Sequence, residues 1–120
     1  MHTGRKIIGV GIDMVEIADI KKARFKDRFA EYFLIPKEIR EVPLGSKKDQ
    51  YLASRFALKE AVIKAFPETL SPFDFVVSKK GRRPSITFVH AERNREYSVF
   101  VSLTHSKLIA AAVAVVVHTS

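Results

Sequence analysis

"RFALKEAVIKAF", residues 55–66, decides how this chain is read. Leu52, Phe56, Ile63 and Phe66 fall in one helical stripe, yet Lys59 and Glu60 sit at its centre and Lys64 follows a turn later. Charges in the middle of a core helix need partners or a job. A bland reading is available, because Glu60 and Lys64 make a favourable i, i+4 pair on a solvated face. The rest of the sequence supplies the alternative.

With 120 residues the chain has room for one compact domain, expected over residues 1–120. A hydrophobic content of 47% argues against disorder. The absence of cysteine excludes a disulfide scaffold, thiolate zinc sites and a cysteine nucleophile, and fits a reducing compartment. Lysine and arginine number 21 against 13 aspartates and glutamates, and a net charge of +8 favours an anionic partner. The most apolar run, "LIAAAVAVVV" (108–117), is too short to span a membrane and suits a buried strand. With no secretory signal pattern behind "MHTGRK", a cytoplasmic protein without a membrane partner is expected.

"KIIGVGIDMVEI" opens the fold as a strand, with Ile8, Val10, Ile12 and Met14 on one face and Gly9, Gly11, Asp13 and Val15 on the other. Two glycines ahead of a carboxylate weaken a strand unless something approaches it closely. A basic amphipathic helix, or a pair of short helices, is expected over 18–33. Pro36 suits a helix start, and Pro43 and Gly45 then break the chain. Asp49 is the expected cap of a helix running to about Phe66, where Pro67 ends it. A hairpin turning near Gly81 and two further strands complete the order. Grouped helices and strands predict an α+β fold, an antiparallel sheet with helices packed on one face.

On this reading the helix carrying Glu60 must pack on the glycine-cleared face that carries Asp13. Two carboxylates meeting there repel unless a cation lies between them, and a hard divalent ion such as magnesium takes one or two carboxylates plus phosphate oxygens. Lys59, Lys64 and Arg55 are then candidates for holding the other phosphate oxygens.

Three stretches, "GVGIDMVEI" (9–17), "RFALKEAVIKAF" (55–66) and "VSLTHSKLIAAAVAVV" (101–116), together resemble the holo-[acyl-carrier-protein] synthases, the small phosphopantetheinyl transferases. The resemblance spans almost the whole chain. It implies transfer of 4′-phosphopantetheine from coenzyme A to a serine of an apo acyl carrier protein, with release of adenosine 3′,5′-bisphosphate. It implies Asp13 and Glu60 as magnesium ligands, and Glu60, Lys64 and His105 as catalytic residues. Coenzyme contacts fall on Lys47, Arg55, Lys64, Pro84, His105 and Ser106. The basic segment with Lys21, Lys22, Arg24 and Arg28 matches the surface that docks the carrier protein, and a homotrimer with sites between subunits is implied. Glu60 is the first candidate for the base that takes the serine proton, and a water held at the metal is the second. The chain departs from the family pattern where a glycine-threonine-glycine loop is replaced by "PETL" (67–70), where Ser106 stands for threonine, and where "GRRP" (81–84) adds a basic residue.

Lys79, Lys80, Arg82 and Arg83 read as a solvated hairpin tip, with a 3′-phosphate as the alternative contact. Phe25, Phe29, Phe33, Phe56 and Phe66 read as core. Two rival classes explain less. A basic nucleic-acid-binding module accounts for the charge but not for Asp13 and Glu60, so no nucleic acid is expected as partner. A carrier-protein binder with weakened catalysis would follow from the missing glycine loop.

Overall fold

The computed structural model describes residues 4–23 and 28–119; Arg24 and Phe25 lie outside them. The elements run β1 (Arg5–Glu16), α1 (Ile17–Ala23), α2 (Pro36–Ile39), α3 (Lys48–Ala65), β2 (Phe75–Lys80), β3 (Arg83–Phe88), α4 (Ala91–Glu96), β4 (Tyr97–His105) and β5 (Ile109–Thr119). The architecture is α+β, as expected. β1, β5 and β4 form an antiparallel sheet in that order, while β2 and β3 make a separate two-stranded hairpin through Gly81, which adopts φ 63°. α4 was not anticipated. Its six residues bury nothing, so it carries no apolar stripe to read.

α3 packs on β1 and β5 and reaches β2 through Lys59, while β3 lies beside β4. The helix buries more than the single stripe expected of it. Ala53, Ala57, Ala61 and Ala65, four residues apart, form a ridge of small side chains that are all buried. That ridge meets equally small positions on the sheet, Gly9 and Gly11 of β1 and Ala110, Ala112 and Ala114 of β5. A Cβ on Gly9 would run into the Ala65 carbonyl, and one on Gly11 into that of Ala61. The glycines are therefore explained by close approach of backbone to backbone. The helix begins at Lys48, so Asp49 stands in its first turn rather than at its cap, where its charge still complements the helix dipole.

Along β1, Gly11 and Val15 are buried toward α3, and Asp13 shares their face. The opposite face of the sheet is open. Val10, Ile12 and Met14 are 62%, 69% and 68% exposed, and Phe100 of β4 is 56% exposed. The register aligns them in rows, Val10–Val115–Phe100 and Ile12–Val113–Ser102. No helix among the described residues is long and apolar enough to cross a membrane.

The hairpin side of α3 contains the largest fully buried side chain, Lys59. Its Nζ lies 3.0 Å from Glu38 Oε1 and donates to the carbonyls of Pro72 at 2.6 Å and Phe75 at 2.7 Å. Three acceptors meet the three N–H donors of an ammonium. Burial pulls the Lys59 pKa below its ordinary value, and the Glu38 carboxylate opposes that pull. Glu38 in turn accepts from the backbone N–H of Ile35 at 2.9 Å and of Val77 at 2.8 Å. Lys59 is thus a structural cross-link between α3, α2 and β2. The expectation that it holds phosphate oxygens is corrected, since it is fully enclosed and its donors are taken.

Lys59→Met should lower stability by about 3–5 kcal/mol, because it strands a buried carboxylate. Urea denaturation reads this as a lower midpoint, and adding Glu38→Gln should recover part of the loss. An unchanged midpoint in Lys59→Met would show that the pair carries no stability.

Candidate active site

The close seating of Ala61 and Ala65 on β1 decides where their neighbours go. Glu60 and Lys64 each precede a ridge alanine and lie one turn apart on the same flank of α3, beside β1. Lys64 Nζ donates to Asp13 Oδ1 at 3.0 Å and to the Ile12 carbonyl at 3.3 Å. The Asp13 side chain is only 15% exposed, while that of Lys64 is 54% exposed. Glu60 is half-buried and makes no hydrogen bond or ion pair among the described residues. The i, i+4 pair with Lys64 is therefore not formed, because Asp13 has taken the lysine. Among the described residues no three metal-ligating side chains of the His, Cys, Asp or Glu type cluster. A pair of carboxylates is the donor set of a hard divalent ion that keeps most of its shell for water and phosphate, so the residues present fit magnesium.

A second group lies on the other flank. A cleft of about 170 Å³ is lined by Pro43, Lys47, Gln50, Tyr51, Ser54, Arg55, Lys79, Leu103 and His105. It brings together three residues singled out in the sequence, Lys47, Arg55 and His105. Arg55 is 4% exposed, and its guanidinium lies over the Tyr51 ring at 4.7 Å. No carboxylate pairs with it among the described residues. Pro84 stands at the rim, as the register partner of Lys79 in the hairpin. Ser106 occupies the turn between β4 and β5. Its hydroxyl oxygen accepts from the N–H groups of Leu108 and Ile109, both at 3.2 Å, and its carbonyl accepts from Gln50 Nε2 at 3.3 Å. Gln50, Tyr51, Ser54 and Lys79 were not foreseen. Spacing carried the signal for the helical ones, since positions 47, 51 and 55 repeat every four residues on one face.

The basic cleft does not include the first group. Asp13 is on β1 and His105 on β4, the two outer strands, with β5 between them. Neither Asp13, Glu60 nor Lys64 lines the basic cleft.

Residues 9–115 match the family model described as the 4′-phosphopantetheinyl transferase superfamily. The holo-[acyl-carrier-protein] synthase of Maridesulfovibrio salexigens is 35% identical over 91% of this chain and 97% of its own. That of Listeria monocytogenes is 38% identical over 88% and 94%. The chain belongs to the holo-[acyl-carrier-protein] synthases, phosphopantetheinyl transferases of this superfamily. Two crystal structures of such synthases are also similar. The Bacillus anthracis synthase in complex with CoA (3′,5′-ADP) superposes with a TM-score of 0.80 at 32% identity, covering 93% of this chain and 97% of that one. The Helicobacter pylori synthase in complex with coenzyme A gives 0.74 at 37% identity, covering 89% and 98%.

As a synthase, the chain has an unusual connection after α3. Pro67, Glu68 and Thr69 are exposed, Leu70 is buried, and Glu68 lies 3.9 Å from Arg93 of α4. The loop is tied into the protein by that contact and the buried leucine, in place of the glycines of the family pattern. Lys21 and Lys22 are exposed on α1, and Arg28 is exposed beyond it, while Arg24 falls outside the described residues.

Proposed function

We propose that this protein transfers 4′-phosphopantetheine from coenzyme A to a serine of an apo acyl carrier protein, with magnesium, releasing adenosine 3′,5′-bisphosphate. The observation that carries this reading is the carboxylate-and-lysine flank of α3 at Asp13, Glu60 and Lys64, in a chain whose relatives bind coenzyme A. Asp13 and Glu60 would hold the metal, which when bound supplies charge stabilisation at the pyrophosphate oxygens. Lys64 shifts its ammonium from Asp13 to the pyrophosphate, where negative charge builds as the bond breaks. Glu60 takes the proton of the serine hydroxyl, and the serine oxygen bonds to the β-phosphorus. The bond from that phosphorus to the bridging oxygen breaks, and the nucleotide leaves with the electron pair. Lys47, Arg55, Pro84, His105 and Ser106 belong to the part of the site that holds the nucleotide, which is not transferred.

The carrier protein approaches the α1 side. A groove of about 520 Å³ runs from Asp13 past Ile20, Phe29 and Phe56, with Glu16 and Asp19 also in its lining, and Lys21 and Lys22 of α1 and Arg28 beyond it are exposed cations. The exposed cations of α1 suit an acidic partner, and the net charge of +8 steers the encounter. The protein works as a trimer in the cytoplasm. The open apolar sheet face supports this, since a sister subunit is its simplest cover, and a closed threefold ring sets one chain's basic cleft beside its neighbour's carboxylate flank.

Incubation with coenzyme A, magnesium and an apo acyl carrier protein should add the mass of phosphopantetheine to the carrier, read by mass spectrometry. Asp13→Ala and Glu60→Ala should each cut that rate by at least about a hundredfold while leaving the folded state intact. Near-normal rates in both at saturating magnesium would remove them from the metal site. Light scattering should give about three times 13.6 kDa at assay concentration, and an active monomer would overturn the shared-site arrangement. Replacing Lys21, Lys22 and Arg28 together by glutamate should raise the KM for the carrier protein about tenfold or more at low salt without changing coenzyme affinity. An equal loss of coenzyme affinity would place these residues at the nucleotide instead.

A further inference from the structure

The hairpin tip carries four cations, and the structure separates one from the rest. Along β2, Phe75 and Val77 are buried and Lys79 follows them on the same face, so its side chain leaves the hairpin on the side that packs against α3. Lys80 alternates to the other face and pairs in register with Arg83. Among the lysines and arginines of the tip, only Lys79 lines the basic cleft. Arg55 reaches the cleft from α3, one turn before Lys59, which is bonded to the Phe75 carbonyl of the same β2 strand. The buried Lys59 link thus fixes the spacing between the two cations. Pro84, opposite Lys79, stiffens the hairpin at that point.

The lining contains Lys47, Arg55, Lys79 and His105 and no carboxylate. Three cations around one small cleft repel one another, and an arginine that is 4% exposed with no acidic partner among the described residues is costly to keep there. An anion with several oxygens and close to two charges relieves both penalties. Coenzyme A offers two candidates. Its pyrophosphate is the reacting group and goes to the flank with Asp13, Glu60 and Lys64. Its 3′-phosphate is a monoester with a charge between one and two and takes no part in the bond change.

We propose that Lys79 is a specificity-determining residue that selects the 3′-phosphorylated coenzyme over its dephosphorylated form. It completes a basic cradle with Lys47, Arg55 and His105, in which the Arg55 guanidinium rests over the Tyr51 ring. This rests on the transferase reading above.

The test is calorimetric binding of coenzyme A and of dephospho-coenzyme A to the intact protein, with magnesium and without carrier protein. Lys79→Met should weaken coenzyme A binding about tenfold or more and leave dephospho-coenzyme A binding within about twofold. Lys80→Met, on the other face, should leave both within about twofold. Thermal unfolding should be unchanged in both variants, because both side chains are exposed. Equal loss in Lys79→Met and Lys80→Met would reduce the effect to general positive charge and overturn the proposal. So would equal loss for both nucleotides, no loss, or a wild-type protein that binds the two nucleotides alike. A wild-type protein that binds no coenzyme A would instead overturn the transferase reading itself, and this inference with it.

Discussion

The backbone of α3 rests almost directly on the backbone of β1, and the rest of the structure depends on that contact. It is possible only because Gly9 and Gly11 have no Cβ and because every fourth residue of the helix is alanine. Close approach of this kind gives little apolar area per residue, but it leaves the helix few ways to shift or rotate. The benefit is positional. Residues flanking the alanine ridge have defined places, and Lys64 can reach Asp13 across the sheet edge at 3.0 Å. With larger residues at positions 9 and 11 the helix would have to lift away, and the carboxylates of strand and helix would no longer share a flank.

A second constraint works from the other side of the same helix. Lys59 and Glu38 are both buried, and together they tie α2, α3 and β2. Such a pair is a poor source of net stability compared with well-packed apolar residues, because both charges lose their water. What it supplies here is direction. Every acceptor around the ammonium is a fixed backbone carbonyl or a carboxylate that is itself held by two backbone N–H groups. The hairpin can satisfy these bonds in one arrangement, and that arrangement brings Lys79 toward Arg55.

The sequence made some of this legible and hid the rest for identifiable reasons. The α+β class, the strand carrying Asp13, the long helix and the Gly81 hairpin followed from alternation, helical spacing and turn residues, all of which are local. The resemblance to the synthases supplied the partners, and the structure gathers Lys47, Arg55 and His105 around one cleft and Lys64 onto Asp13. The role of Lys59 was hidden because its partner Glu38 lies in a four-residue helix far away in sequence, and nothing in "PKEI" marks a glutamate as buried. The alanine ridge was visible but was outweighed by the larger Leu52, Phe56 and Phe66. α4 was invisible because it is held by Asn94, which both donates to and accepts from the backbone of Phe88, rather than by any apolar periodicity.

The separation of charge across α3 explains how a small domain keeps such groups without cancelling them. Arg55 and Glu60 are five residues apart on one helix, outside the i, i+3 and i, i+4 spacings at which charges pair. The helix turns them to different sides, Arg55 toward the hairpin and β4, Glu60 toward β1. Had both faced one pocket, carboxylates and cations would have paired with each other and left little field for a ligand. On the β1 side Lys64 pairs with Asp13 while Glu60 has no partner among the described residues, and across the helix Arg55 faces a cleft without a carboxylate, so Glu60 keeps a demand for a cation and the cleft one for an anion. The proposed magnesium and phosphorylated nucleotide would meet both demands at once. In the proposed trimer, the open apolar sheet face is the surface that would bring the carboxylate flank of one chain toward the basic cleft of another.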